Sequence, residues 1–482
     1  MDANLLIDNK DIAATGGATF ERRDPLTGEV ATRAAAATVE DAVAAVDSAA
    51  KAFPAWAAVG PTERRGLLLK AADLLEAHAP DFAKLMKEEM GGNAVFIHFN
   101  VGLAAGIMRE AASLTTQVTG ETIPTDKPGC LSITIRQPVG VILSIAPWNG
   151  PVILAVRAIA YPLACGNTVV LKASELSPGT HHLIGEVMRE AGLPQGVVNI
   201  ISNAPADAAK IVGALIAHPA VRRVNFTGST KTGRIIAETA ARYLKPVLLE
   251  LGGKSPLLVL DDGDLDQAVN AAAFGAFFYQ GQVCMSTERV VVDQSVADEF
   301  VAKFGVKAAS IPVGNSRNAD VAIGTLIDRS AADRIDTLIK EAIKDGAKLV
   351  AGGKREGTIM SPTVLDFVTP KMRIYHEETF GPVTCVVRAR DVEDAIRIAN
   401  DTDYGLSASV FGRDVNRAFG VAMRIDSGMC HINGPTINDE AQIPFGGTKS
   451  SGYGRFGGKA VINEFTELRW ITIESGAQHY PF

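Results

Sequence analysis

The segment Gly281-Gln282-Val283-Cys284 sets a thiol three residues after a glycine, whose missing side chain lets the backbone approach a substrate closely. A thiolate placed this way attacks a carbonyl carbon and forms a tetrahedral intermediate. A lone cysteine is more commonly a small buried apolar side chain, so this residue decides nothing alone. Glu250 stands between Leu249 and Leu251, just ahead of Gly252 and Gly253. Apolar neighbours favour the neutral form of a carboxyl group and lift its pKa toward the range of a general base. The competing reading is a paired structural glutamate at a domain junction. Asn149, in Ala146-Pro147-Trp148-Asn149-Gly150, follows a short apolar run, and its amide can donate to a developing oxyanion. Asparagine before a helix also serves as an N-cap or closes an Asx-turn.

A second set of residues has the chemistry of a nucleotide site. Lys172-Ala173-Ser174-Glu175 ends an apolar run, and an acidic residue at a strand end accepts hydrogen bonds from ribose hydroxyls. Asn225-Phe226-Thr227-Gly228-Ser229 passes from strand to helix, where backbone N–H groups suit phosphate. Gly228 and Gly233 follow a G-x4-G spacing instead of the dinucleotide G-x-G-x-x-G, which makes this signal weak by itself. Gly253-Lys254-Ser255 has the ending of a P-loop, but that loop needs a glycine where Leu248 stands.

These residues need a frame. Residues 39–89 repeat apolar side chains at helical spacing, as in Val43, Val46, Ala50 and Phe53. Residues 131–136 alternate apolar and polar, as a half-exposed strand does. Strands are expected at 141–145, 168–172, 197–201 and 221–226. Helices are expected over 178–191 and from Pro205 and Thr230. Repeated β-α-β units imply a parallel, doubly wound sheet. A second α/β stretch begins at Ser255 and takes in strands at 289–293 and 406–411 and a helix at 391–400. Residues 464–473 read as an extended tail strand able to complete a sheet in a neighbouring subunit.

Composition narrows the function classes. The chain has 482 residues, 47% hydrophobic and 21% charged, which supplies packed cores and argues against disorder. A net charge of −7 without a basic stripe argues against nucleic acid. Five widely spaced cysteines without a Cys-x-x-Cys pair argue against a disulfide framework or a metal site and suit a reducing cytoplasm. The opening residues lack a signal-peptide pattern, and residues 151–165 are too short and carry Arg157, so a buried helix is expected there instead of a membrane span.

In chain order, Pro147-Trp148-Asn149, Lys172-Ala173-Ser174-Glu175, Phe226-Thr227-Gly228-Ser229-Thr230, Glu250-Leu251-Gly252-Gly253-Lys254-Ser255-Pro256, Gly281 to Cys284, Glu378-Thr379-Phe380-Gly381-Pro382-Val383 and Pro444-Phe445-Gly446-Gly447-Thr448-Lys449 resemble the aldehyde dehydrogenase superfamily along nearly the whole chain. The run from Cys284 to Arg289 and the ending Gln478-His479-Tyr480-Pro481-Phe482 are similar to its bacterial salicylaldehyde, vanillin and benzaldehyde dehydrogenases. The resemblance implies that Cys284 is the nucleophile, that Asn149 and the Cys284 N–H form the oxyanion hole, and that Glu250 activates the water that cleaves a thioester. It places Lys172 and Glu175 at the adenine ribose of NAD, Ser229 at the pyrophosphate, and Glu378 and Phe380 at the nicotinamide ribose and ring. Gly228 and Trp148 join the cofactor-binding set. The implied fold is a Rossmann-like cofactor domain from 1–119 and 142–250, an α/β catalytic domain over 251–450, and a small oligomerisation sheet from 120–141 and 460–482. Many relatives carry a second acidic residue where Phe456 stands, so no ionisable group is available at that position.

The helix after Asn149 is expected to line the aldehyde tunnel. Gly150, Leu154 and Arg157 share one helical face. Gly150 stands where many aliphatic-aldehyde relatives have an aromatic residue, which leaves room for a flat ring. Arg157 offers that ring a hydrogen bond or a cation–π contact; the alternative is an ion pair at a subunit surface. Val283 and Met285 flank the nucleophile as apolar walls, and Phe445 is counted with them. The expected activity is NAD-dependent oxidation of an aromatic aldehyde to its acid by a homodimer or homotetramer. An aliphatic aldehyde or a semialdehyde is the alternative substrate. A CoA-acylating enzyme is disfavoured by Glu250, and a non-catalytic nucleotide-binding protein by the presence of both Cys284 and Glu250.

Overall fold

In the computed structural model, which describes residues 1–318 and 321–482, the apolar runs after Pro138 become the parallel centre of an eight-stranded sheet. Its order is Gly452–Tyr453, Val247–Glu250, Val221–Thr227, Val141–Ile145, Thr168–Lys172, Val198–Ile201, Leu5–Ile7 and Lys10–Ile12. The five central strands are parallel, and the outer ones join antiparallel. Val141–Ile145 and Thr168–Lys172 are buried at every residue, which is why they read as continuous apolar runs instead of alternating ones. Among the parallel strands Val141–Ile145 comes first in the chain, yet it lies between the second and the fourth. Strand order reverses there, and a crevice opens at the carboxyl ends of the strands. Ala146 to Asn149 leave one side of that crevice, and Gly228 and Ser229 the other.

The second sheet has seven strands, in the order Lys348–Ala351, Thr363–Asp366, Val383–Ala389, Thr287–Asp293, Ser255–Val259, Ser407–Phe411 and Met429–Ile432. Only the first is antiparallel to its neighbour. Gly252 and Gly253 join the last parallel strand of the first sheet to the first strand of the second. Carboxyl ends of one sheet and amino ends of the other are thereby brought together.

Pro151–Ala164 forms the expected helix, with Pro151 in its first turn and every residue buried, Arg157 included. An all-round apolar helix of this length is core; among the described residues, no helix is long and apolar enough to cross a membrane. Beside it packs Ala94–Leu114, a helix that the sequence reading left unassigned. Asn93 caps it by accepting from the Phe96 N–H at 2.9 Å, but its apolar residues lie on most sides and blur the helical stripe.

Cys130–Pro138 pairs antiparallel with Thr466–Glu474 over nine residues as a separate ribbon. The tail strand expected at 464–473 needs correction at its start. Glu464 and Phe465 belong to the helix Ala460–Phe465, whose Val461, Ile462 and Phe465 are buried. The ribbon leaves Leu131, Leu468, Trp470 and Ile473 exposed.

Candidate active site

One cleft of about 720 Å³ runs along the junction of the two sheets. The catalytic candidates Asn149, Glu250 and Cys284 all line it. So do the cofactor candidates Trp148, Lys172, Glu175, Gly228, Ser229, Glu378 and Phe380. Each owes its place to a strand end. Asn149 follows Val141–Ile145, Glu250 ends Val247–Glu250, and Cys284 precedes Thr287–Asp293.

The loop that carries the thiol is sharply bent. Tyr279, Gln280 and Gly281 have φ of 48°, 56° and 68°, and two left-handed residues with side chains cost about 1–2 kcal/mol each. Tertiary contacts hold them: Tyr279 stacks on Phe96 with centroids 3.5 Å apart, and the Gln280 amide donates to the Thr325 carbonyl at 2.9 Å. Asn149 Nδ2 donates to the Gln282 carbonyl at 3.1 Å, tying the first sheet to this loop and leaving the second amide N–H uncommitted. The Cys284 N–H makes no hydrogen bond among the described residues. Gly253 is needed because a Cβ there would stand 2.6 Å from the Cys284 carbonyl oxygen, and a Cβ on Gly252 would meet the Glu378 carboxylate.

Glu250 is 1% exposed, and neither of its oxygens accepts from an N–H or hydroxyl group among the described residues. Burial pushes its carboxyl up to about 7, against the opposing pull of the Cys284 thiol and the Arg157 charge. The Cys284 thiol is also held well above its ordinary value, by burial first and then by Glu250 and Glu378 beside it. The resting pair is therefore a neutral thiol next to a carboxyl group able to change state near neutral pH.

The other arm of the cleft is laid out for a dinucleotide. Glu175 takes the Lys172 ammonium and still lines the cleft. Ser229 caps Thr230–Ala241 through the Thr232 N–H at 3.3 Å, and the Thr230 and Lys231 N–H groups of that first turn have no intrahelical partner. Trp148 and Phe380 meet edge to face at 5.8 Å, with Phe380 held at φ 48°. Glu288 fixes that turn by accepting from the Thr379 and Phe380 N–H groups at 2.7 to 2.9 Å, and Lys254 neutralises Glu288 at 2.6 Å. Burial, then Glu288, pushes Glu378 up to about 8. Between the helices Ala208–Ala217 and Thr230–Ala241, Val212, Ile216, Ile235 and Ile236 form an apolar slot suited to a flat base. The sequence reading missed this slot and Glu288. Ile235 is 55% exposed on its helix, which only the structure reveals. Slot, acidic acceptor, helix N-terminus and aromatic pair follow one another as a nicotinamide dinucleotide requires, so the residues present fit that cofactor.

The six substrate candidates do not line this cleft. Gly150 faces Leu154, whose Cδ1 would lie 3.4 Å from a Cβ there. Val283 and Met285 lie either side of Cys284 in the chain and pack with the core. Arg157 is already occupied: it pairs with Asp439 at 2.5 Å, and its guanidinium sits 4.6 Å from the Phe445 ring centre. The expected cation–π contact is thus made within the protein, and the pair is buried, not at a surface. Phe456 is 1% exposed and exchanges backbone hydrogen bonds with Phe445.

A model of the aldehyde dehydrogenase family matches residues 12–471. A vanillin dehydrogenase of Pseudomonas fluorescens is 60% identical over 481 residues, the full length of both chains. The crystal structure of a salicylaldehyde dehydrogenase from Pseudomonas putida G7, complexed with salicylaldehyde, superposes with a TM-score of 0.99 at 55% identity, covering 100% of each chain. An NAD-dependent aldehyde dehydrogenase from Sinorhizobium meliloti superposes at 0.96 with 34% identity, covering all of this chain and 96% of the other.

Proposed function

The chain belongs to the aldehyde dehydrogenase family, and we propose that it oxidises aromatic aldehydes of the benzaldehyde, salicylaldehyde, vanillin or hydroxybenzaldehyde kind to their carboxylic acids with NAD. The observation that carries this reading is the meeting of Asn149, Glu250 and Cys284 at one end of a cleft whose other arm fits a nicotinamide dinucleotide. The Cys284 thiol gives its proton to solvent, its sulfur bonds to the aldehyde carbon, and the C=O π pair moves onto the oxygen, which gives a thiohemiacetal anion. Its oxygen bears the negative charge and accepts from the uncommitted Asn149 amide and the Cys284 N–H. The bound nicotinamide supplies a hydride acceptor. Loss of hydride from the former aldehyde carbon leaves a thioester on Cys284. Glu250 takes a proton from water as the water oxygen bonds the acyl carbon. The C–S bond then breaks, the acid leaves, and the sulfur takes the proton held on Glu250, which restores the thiol and the carboxylate.

The preference for aromatic substrates is supported by relatives named for vanillin and salicylaldehyde that match the whole chain, and by the absence of a side chain at Gly150. Leu154, Val283 and Met285 complete the proposed surroundings of the ring. NAD is preferred over NADP because the Glu175 carboxylate accepts from ribose hydroxyls and repels a 2′-phosphate. The exposed apolar residues of the 130–138 and 466–474 ribbon suit a homodimer or homotetramer, and five free cysteines suit a reducing cytoplasm. A kinetic panel tests the substrate: with NAD, hydroxylated and methoxylated benzaldehydes should exceed acetaldehyde and succinic semialdehyde in kcat/KM by about tenfold or more. A panel won by either aliphatic substrate rejects the aromatic reading.

A further inference from the structure

Asn203 belongs to none of the motifs that carry the family resemblance. It lies two residues past the strand Val198–Ile201, in the loop that leads to Pro205 and Ala206 on the cleft wall. Its side chain is fully buried. Nδ2 donates to Glu175 Oε1 at 3.1 Å and to the Ala204 carbonyl at 2.9 Å, and Oδ1 has no partner among the described residues. The Lys172 ammonium meets the same Glu175 oxygen. One carboxylate oxygen is therefore bound twice. The other, Oε2, receives no hydrogen bond from the described residues.

This arrangement settles more than the orientation of one carboxylate. Lys172 is 5% exposed, and Glu175 is its only ion-pair partner among the described residues. His181, the nearby ring whose pKa responds to Lys172, is itself held neutral, pushed down to about 3 by burial and then by the Lys172 charge. If Glu175 swings away, a buried ammonium is left uncompensated, which is costly unless another anion replaces the carboxylate. A phosphate on the ribose 2′-oxygen is such an anion. With Glu175 held, the same place offers an acceptor for a diol and repels that phosphate.

We propose that Asn203 is a positioning residue for cofactor choice. By holding Glu175 against Lys172, it makes this end of the cleft a receptor for an unphosphorylated ribose. The proposal rests on the reading of Glu175 as the ribose acceptor. Full-length protein is titrated by calorimetry with adenosine 5′-monophosphate and with adenosine 2′,5′-bisphosphate. The native protein should favour the monophosphate by about tenfold or more, and Asn203→Ala should cut that ratio by about fivefold or more, with kcat at saturating NAD within about twofold of native. Should Asn203→Ala fail to fold, Asn203→Leu nearly keeps the volume, removes the donor without adding charge and should cut the ratio equally. A ratio unchanged in the folded variant, or equal weakening of both ligands, overturns the proposal by reducing Asn203 to a loop anchor. Glu175→Gln separates the two claims. If it collapses the ratio and the Asn203 variants do not, only the Asn203 proposal falls; if it too leaves the ratio intact, the reading of Glu175 falls with it.

Discussion

Two buried ion pairs lie near the reacting cysteine, and they are completed differently. On the cofactor side, Glu288 Oε2 takes Lys254 and the Thr379 hydroxyl, and its oxygens also take the Thr379 and Phe380 N–H groups. On the substrate side, Asp439 Oδ2 takes Arg157 while Oδ1 is buried with no partner among the described residues. A carboxylate with every lone pair engaged works as a strut, and here it fixes the backbone turn that presents Phe380 to the cleft. A half-engaged carboxylate fixes less and acts more through its field. Asp439 pushes the Glu250 carboxyl up while Arg157 pulls it down. The cofactor half is built as a rigid mould, and the substrate half is where charge and shape can change without dismantling the site.

Cutting the link between the halves should give the largest effect. Cys284→Ala removes the one atom that joins aldehyde to protein, and turnover should fall by about 10⁴-fold or more. Affinity for NAD, measured by calorimetry, should stay within about twofold. Substantial residual turnover would show that the thioester route is wrong. Glu250→Gln should stop the reaction after its cofactor-side half. The variant should release about one reduced cofactor per site in a burst, then slow by about 10²–10³-fold. The native enzyme should lose deacylation as pH falls through about 7, because Glu250 works in its ionised form and burial has raised its carboxyl to that range. Glu250→Gln should lack this acid limb. A burst slowed as much as the steady state would instead assign Glu250 to activation of the thiol.

The ion pairs themselves give smaller effects, read as stability. Lys254→Met leaves Glu288 charged and uncompensated among bound N–H groups, at a cost of about 3–5 kcal/mol. Arg157→Met should cost less, about 1–3 kcal/mol, because Asp439 can take up a proton. Burial already raises Asp439, and only Arg157 opposes that rise. With its folded pKa above its unfolded one, Asp439 destabilises the variant as pH rises through that window, so the Arg157→Met deficit should shrink in acid. Denaturant unfolding at two pH values checks this. An Arg157→Met deficit equal to that of Lys254→Met and independent of pH would erase the distinction between the halves.

What the sequence made legible was local. Asn149 and Glu250 lie within two residues of a glycine at or just past the end of an apolar run, Cys284 comes three residues after Gly281, and strand ends are where an α/β fold opens to ligands. The parallel, doubly wound sheet could be read from the alternation of strands and helices, but not the pairing that closes the site. Asp439 is 282 residues from Arg157, and nothing in periodicity reports such a contact. Arg157 therefore read as a group free to meet a substrate ring, whereas Phe445 holds that place. The apolar slot was hidden for a different reason. Its residues lie on two amphipathic helices whose other apolar positions are core, and a slot-lining isoleucine has the same spacing as a core one.

The smallest effect should be the most selective, and it falls on the substrate half alone. Gly150 sits at the start of the helix that follows Asn149, with φ −138° and ψ 64°, so a side chain there meets no left-handed strain. Its Cβ would contact Leu154 Cδ1 at 3.4 Å and Asn100 Oδ1 at 3.8 Å, which is ordinary packing distance. A substitution therefore tests space and not backbone conformation. The ring of Gly150→Phe has to extend beyond that Cβ, next to the Asn149 amide proposed to receive the oxyanion. Benzaldehyde and its hydroxylated and methoxylated forms should lose about 10–100-fold in kcat/KM, while acetaldehyde should stay within about threefold. NAD affinity and unfolding midpoint should not move, since Gly150 does not line the cofactor cleft. Equal losses for aromatic and aliphatic aldehydes would mean that the ring had displaced Asn149, and Gly150→Ala would then separate loss of space from loss of the oxyanion donor. An unchanged ranking would place the aromatic ring elsewhere and leave the substrate half without the adaptability that its half-bound ion pair allows.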